Sequence, residues 1–281
     1  MPAHSDRVTS SRIGETFARM KQERRTGLVT YVTAGDPDML RSAAILQALD
    51  RAGADVIEVG VPFSDPLADG PVIQRASERA LAAGATLGAI LDMLDRLRLR
   101  LRVPIVLFTY ANPLLRMGID AFGHRASQVG VDGVLVLDLP IEEAGEFREA
   151  MAMRAIDTIF LLSPTTTRER IRKAAQLGSG FLYGISRLGV TGTRDRVAAG
   201  AREMVERIRE ETPMPIALGF GISRPDHVRQ VGQWADAAVV GSGLVEVIAQ
   251  NSAAPELIER VESYVHWLRG DGQGPEWRND D

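Results

Sequence analysis

The sequence predicts a single-domain α/β fold, a (β/α)8 TIM barrel with an extra N-terminal helix and an extended connection between its second and third strands. Three observations predict it. Eight short apolar runs, at 27–33, 55–59, 104–110, 133–137, 158–162, 180–185, 215–218 and 237–240, are spread along the 281 residues. Longer stretches of helical periodicity lie between them. The runs are near-continuously apolar, as parallel strands covered by helices must be, and eight such units close into a barrel. A barrel of this kind uses about 250 residues in one domain. The same alternation also permits a doubly wound open sheet.

Each element has its own signal. Residues 1–9 read as a disordered N-terminus, and Ser10 and Ser11 can cap a helix with the apolar face Ile13, Phe17 and Met20. The first strand ends before Gly35-Asp36-Pro37, and the helix at 39–51 repeats Leu40, Ala44, Leu46 and Leu49. The second strand, 55–59, is stopped by Gly60 and Pro62, which leaves Glu58 at its carboxyl end and Asp65 and Asp69 on the loop beyond. The connection from 60 to 103 is long and carries two helical patterns, 72–83 and 87–100; insertions at a barrel mouth serve ligands or partners. Helical patterns at 142–153, 168–177, 199–211 and 225–231 follow the later strands, and a helix opens at Leu244 after the eighth. The barrel domain spans 10–269, and the polar, Gly-rich stretch 270–281 reads as a flexible tail.

Composition narrows the chemistry. Hydrophobic residues at 45% and charged residues at 25% are the ordinary globular mixture. A net charge of −4 and the absence of a basic run with interleaved aromatics point away from nucleic acid; the stretch 96–102 alternates Arg with Leu and reads as a helix face. No run of about 18 apolar residues occurs and no signal-peptide core opens the chain, so the expected setting is cytoplasmic, away from membranes. With no cysteine, thiol chemistry is excluded. The two lysines, Lys21 and Lys173, fall on predicted helices, which leaves no Schiff-base lysine at a strand end. His4, His124, His227 and His266 are scattered without metal-ligand spacing. Carboxylates remain as the natural acid–base groups.

In a barrel the active site lies at the carboxyl ends of the strands. Glu58 shares strand parity with Val56, so it can face the barrel axis and be partly desolvated, which raises its pKa toward an acid–base value. Pairing with a nearby arginine is the competing reading. Asp69, before Gly70-Pro71, is either functional or an ordinary turn aspartate. A divalent ion on Glu58, Asp65 and Asp69 matches no calcium loop, and no metal is expected. Gly219-Phe-Gly221 and Gly241-Ser-Gly243, the latter opening a helix, suit a phosphate dianion through free main-chain amides and a helix N-terminus; alternatively these glycines only make tight turns. Residues 186–196, with two glycines and two threonines, read as a mobile lid or as a plain surface loop.

One stretch carries a resemblance. Glu58-Val-Gly-Val-Pro-Phe-Ser-Asp-Pro-Leu-Ala-Asp-Gly-Pro71 resembles the signature of the tryptophan synthase α chain family. Thr33-Ala-Gly-Asp-Pro37, Tyr110-Ala-Asn-Pro113, Gly118-Ile-Asp-Ala-Phe122, Asp138-Leu-Pro140, Ser186-Arg-Leu-Gly-Val-Thr-Gly192, Gly219-Phe-Gly-Ile222 and Gly241-Ser242 agree with it, in order, across residues 12 to 268. The resemblance implies a lyase that splits indole-3-glycerol phosphate into indole and glyceraldehyde 3-phosphate by a retro-aldol reaction in tryptophan biosynthesis. Residue by residue, it implies that Glu58 is the acid–base group, that Asp69 hydrogen-bonds the indole N–H, and that Tyr183 lies beside the substrate hydroxyls; on its residues alone Tyr183 is equally a core tyrosine. It implies phosphate contacts from Gly192, Gly219, Phe220, Gly221, Gly241 and Ser242, apolar indole walls from Phe108, Ile73 and Leu135, and closure of the lid residue Thr191 onto Asp69. Asp65, Asp138 and Pro140 would face a β chain in an α2β2 heterotetramer. Pyridoxal phosphate would belong to that β chain, with no cofactor in this one. A stand-alone lyase and a non-catalytic phosphate-binding regulatory barrel subunit remain alternatives.

Overall fold

The computed structural model describes residues 11–185, 199–219, 221–272 and 274 of the 281. The expected disordered stretch 1–9, the lid 186–196 with Thr191 and Gly192, Phe220 and most of the expected tail lie outside the described residues.

The chain runs α1 (Arg12–Gln22), β1 (Gly27–Thr33), α2 (Met39–Arg51), β2 (Val56–Gly60), α3 (Pro71–Ala82), α4 (Leu87–Leu97) and β3 (Ile105–Thr109). Then follow α5 (Ala111–Met117), α6 (Ile119–Gln128), β4 (Gly133–Val136), α7 (Gly145–Ala152), β5 (Asp157–Leu162), α8 (Arg168–Leu177) and β6 (Leu182–Ile185). The last are α9 (Ala199–Glu211), β7 (Ile216–Gly219), α10 (Pro225–Val231), β8 (Ala237–Val240), α11 (Ser242–Gln250) and α12 (Leu257–Arg269). The strands close in order, each parallel to the next, with β8 returning to β1. That is the expected (β/α)8 barrel, and the open sheet is set aside because β8 and β1 pair from Gly27↔Ala237 to Thr30↔Val240.

Local chemistry starts and stops the helices. The Ser11 hydroxyl accepts from Gly14 N–H at 3.0 Å, Asp38 from Arg41 N–H at 2.8 Å and Thr86 from Ala89 N–H at 3.2 Å, each satisfying an amide that the first helical turn leaves open. Pro71 and Pro225 occupy the first turns of α3 and α10, where a missing N–H costs nothing.

Two apolar layers result. One lies between strands and outer helices; the other fills the barrel with Val29, Val56, Val106, Leu135, Ile159, Phe181, Ala217 and Val239. The amphipathic helix α1 plugs the amino-terminal end of the barrel. Its Ile13, Phe17 and Met20 join the inner layer, and Phe17 meets Phe181 at 5.3 Å between ring centroids. Gly133 makes the approach possible, since a Cβ there would lie 2.8 Å from Ile13 Cδ1.

One expectation about a strand end is corrected. Gly60 does not stop β2; it is the last ladder residue, opposite Thr33 and Phe108. It is glycine for a different reason, because a Cβ there would come within 2.6 Å of the Tyr31 ring carbon that bears the hydroxyl.

Candidate active site

Strand parity gathers the site. Tyr31 on β1 lies opposite Glu58 on β2, and Gly60 lies opposite Phe108 on β3, so these side chains share the barrel mouth. Glu58 is fully buried, and neither carboxylate oxygen has a hydrogen-bond partner among the described residues. Among the described residues no arginine pairs with it. Burial alone pushes the Glu58 carboxyl up to about 8, because a charge without a counter-ion or donor is poorly solvated there.

Asp69 sits half-buried on the loop between β2 and α3. The Tyr110 hydroxyl donates to its Oδ2 at 3.1 Å and accepts from Ala68 N–H at 3.1 Å. Gln74 Nε2 holds the Asp69 carbonyl at 2.9 Å, and the Phe63 ring stacks on Tyr110 at 4.9 Å. Burial raises the Asp69 pKa while the Tyr110 bond opposes the rise by favouring the charged form. Behind the loop, Arg79 on α3 donates twice to buried Asp36, at 2.8 and 2.7 Å, and ties the helix to the β1 turn. Tyr110, Tyr31 and the Asp36–Arg79 pair are the parts that sequence reasoning left unassigned. Parity was an available signal for the tyrosines, which fall two residues beyond the inward-facing Phe108 and Val29.

The remaining expected residues are distributed around the mouth. Tyr183 on β6 is buried, and its hydroxyl would lie 2.9 Å from a Cβ at Gly219, so the glycine leaves room for the phenol. Phe108 is half-buried between Tyr31 at 5.2 Å and Tyr183 at 6.4 Å. Ile73 on α3 packs with Tyr31, Ala76 and Val245. Leu135, paired with Phe108 in register, belongs to the buried barrel interior. Gly219 ends β7, Gly241 follows the neighbouring β8, Gly221 has a φ of +58°, and Ser242 opens α11. Asp65 is exposed and accepts from the Ser64 hydroxyl at 2.6 Å. Asp138 and Pro140 are exposed, and Asp138 accepts from Ala111 N–H at 2.7 Å at the start of α5.

A groove of about 500 Å³ runs along the Asp65 side of the loop, lined by Phe63, Asp65, Thr86, Asn112 and Arg116 among others; Glu58 and Asp69 are not in its wall. Among the described residues no three His, Asp or Glu side chains gather as a metal site, and no helix is long and apolar enough to cross a membrane.

Fold and site together define a class: a (β/α)8-barrel protein with a buried carboxyl group and a second, loop-borne carboxylate at the carboxyl ends of its strands. Comparison with known proteins makes the family specific. The model of the tryptophan synthase alpha chain family matches residues 17–268. The tryptophan synthase alpha chain of Geobacter sulfurreducens is 51% identical over 259 residues, covering 92% of this chain and 98% of the relative, and that of Solibacter usitatus is 46% identical over 259 residues, covering 92% and 97%. The solved alpha subunit from Legionella pneumophila superposes with a TM-score of 0.86 at 33% identity, covering 93% of this chain and 98% of the other. The chain belongs to the tryptophan synthase alpha chain family. Its activity is that of a carbon–carbon lyase, cleaving indole-3-glycerol phosphate to indole and glyceraldehyde 3-phosphate in tryptophan biosynthesis.

Proposed function

We propose that Glu58 is the acid–base group of this lyase, and the observation that carries the reading is its burial at a rigid strand end without a hydrogen-bond partner among the described residues. With its carboxyl pushed up to about 8, Glu58 is largely protonated at neutral pH and holds a proton to give. It donates that proton to indole ring carbon 3, and positive charge develops on the ring nitrogen. The resulting carboxylate then takes the proton of the adjacent side-chain hydroxyl. The O–H electrons become the carbonyl bond of the aldehyde, the C–C bond breaks, and its electrons neutralise the ring as indole leaves.

Asp69 accepts the indole N–H and stabilises the charge that grows there, a term larger in the transition state than in the ground state. Tyr110 supports it by holding Oδ2 and by favouring its charged form. Tyr183 orients the substrate hydroxyls. Phe108, Ile73 and Leu135 wall the indole, Leu135 being the register partner of Phe108 on β4. Gly219, Gly221, Gly241 and Ser242 receive the phosphate across the mouth, where strand ends and the α11 N-terminus offer main-chain amides. Gly192, Phe220 and Thr191, which the family resemblance adds to this set, lie outside the described residues. The partner is a pyridoxal-phosphate-dependent β chain in a cytoplasmic α2β2 assembly, facing Asp65, Asp138 and Pro140. The exposed Leu67, two residues beyond Asp65, supplies apolar surface for that contact.

The test is cleavage of indole-3-glycerol phosphate by the purified chain, with and without a β chain, for the wild type and Glu58→Gln. The wild type is expected to lose turnover above about pH 8 as Glu58 deprotonates, and Glu58→Gln to lose roughly 10²–10⁴-fold at its optimum. Near wild-type turnover in Glu58→Gln removes the residue from its role. No cleavage by the wild type in either condition sinks the lyase reading, and full activity alone favours the stand-alone form.

A further inference from the structure

Tyr31 is a buried phenol that packing does not require. Its ring belongs to the cluster of Ile73, Ala76, Val245 and Phe108, and every other side chain in that cluster ends in carbon. A phenylalanine would fill the same space. The hydroxyl instead reaches out over Gly60, where any Cβ would collide with it. Among the described residues its side-chain contact is Thr33 Oγ1 at 3.4 Å, longer than the roughly 2.5–3.0 Å of a formed O–H···O bond. A buried hydroxyl left this poorly bonded is destabilising unless something else takes its proton or its lone pairs.

Two neighbours say what reaches that place. Phe108, edge-on to Tyr31 at 5.2 Å, and Ile73 are the walls assigned above to the indole ring. Glu58 opposite Tyr31 and Thr33 beyond it lie on the same inward face, and the Asp69 carboxylate on the loop also acts on the phenol. The Tyr31 hydroxyl therefore puts one under-used donor and acceptor at the edge of the slot walled by Phe108 and Ile73. A hydrogen-bonding slot discriminates between a substrate that answers the group and one that does not.

We propose that Tyr31 is a specificity-determining residue: its hydroxyl accommodates a hydrogen-bonding substituent on the indole ring, so that ring-hydroxylated indole-3-glycerol phosphates are substrates alongside the unsubstituted one. This rests on the lyase reading and on the indole lying between Phe108 and Ile73. Thr33 braces the phenol, and Gly60 keeps clear the space above β2 that the hydroxyl occupies. The reaction at ring carbon 3 is unchanged, since the added group lies on the benzenoid ring and neither gives nor takes electrons in the balance.

The experiment measures kcat/KM for indole-3-glycerol phosphate and for analogues hydroxylated in turn at each benzenoid carbon, in the wild type and in Tyr31→Phe. The readout is the ratio of hydroxylated to unsubstituted substrate within each protein, which cancels any difference in active fraction. For at least one ring position the ratio should fall about fivefold to tenfold in Tyr31→Phe, the scale of one neutral hydrogen bond. A ratio unchanged within about twofold at every position, with all substrates affected alike, would mean a packing role only and overturns the proposal. So does a wild type that cleaves the unsubstituted substrate and none of the analogues. Failure of the wild type on the unsubstituted substrate itself strikes the lyase reading instead.

Discussion

Replacing Glu58 by Gln should stabilise the protein, and by an amount that grows with pH. Glu58 is fully buried, both oxygens lack a partner among the described residues, and its carboxyl rises from 4.5 to about 8 in the folded chain. Below the unfolded pKa both states carry the proton and Glu58 contributes no pH dependence. Between 4.5 and about 8 the folded state binds the proton and the unfolded state does not, so wild-type stability falls as pH rises. Above about 8 the full difference has been lost. At 1.36 kcal/mol per pKa unit the total is roughly 5 kcal/mol, an upper figure because water entering the mouth would solvate the carboxylate. Glutamine of the same size carries no charge and escapes this loss. For a chain of this length about 1 kcal/mol corresponds to roughly 2 °C in melting temperature. Melting curves for both proteins across pH 5 to 9 should therefore show a gap that opens with pH, approaches about 10 °C, and levels off. A gap independent of pH would refute the reasoning, because it would mean that Glu58 titrates alike in the folded and unfolded chains.

Two further outcomes follow from particular contacts. Tyr110→Phe removes the donor to Asp69 Oδ2, so the Asp69 pKa should climb further; the acid limb of the pH–rate profile should move to higher pH, with kcat/KM near neutrality down about tenfold or more, the scale of a bond to a charged group. An unmoved acid limb would separate Tyr110 from Asp69. Gly133→Ala puts a methyl 2.8 Å from Ile13 Cδ1 and 3.1 Å from Ile159 Cδ1 beneath the barrel; overpacking there should cost about 1–3 kcal/mol in chemical denaturation, while kcat at the opposite end of the barrel stays near wild type.

Much of this was legible before folding. Alternating apolar runs and helical periods located every strand to within about two residues, since those patterns depend on neighbours along the chain. Strand parity pointed Glu58 at the axis for the same reason. Less was legible at the loop. Asp69 could not be told from a turn aspartate, because the hydroxyl that holds it belongs to Tyr110, 41 residues away. Gly60 was misjudged because a glycine that ends a strand and one that clears space for a ring on the neighbouring strand look alike in one dimension.

The sequence by itself determined the barrel, its order of elements, the supply of carboxylates as the only plausible acid–base groups, and the family motif that joins Glu58 to Asp69. Only the tertiary structure decided the electrostatic state of Glu58. Burial, and the lack of a hydrogen-bond partner among the described residues, are properties of the whole surrounding shell, assembled from β1, β2, β3 and α3. The same holds for Tyr31, where an unremarkable strand residue becomes an underbonded phenol at the edge of the slot walled by Phe108 and Ile73. Local pattern fixes which way a side chain points, and the remote segments that the fold brings around it fix what that side chain can do.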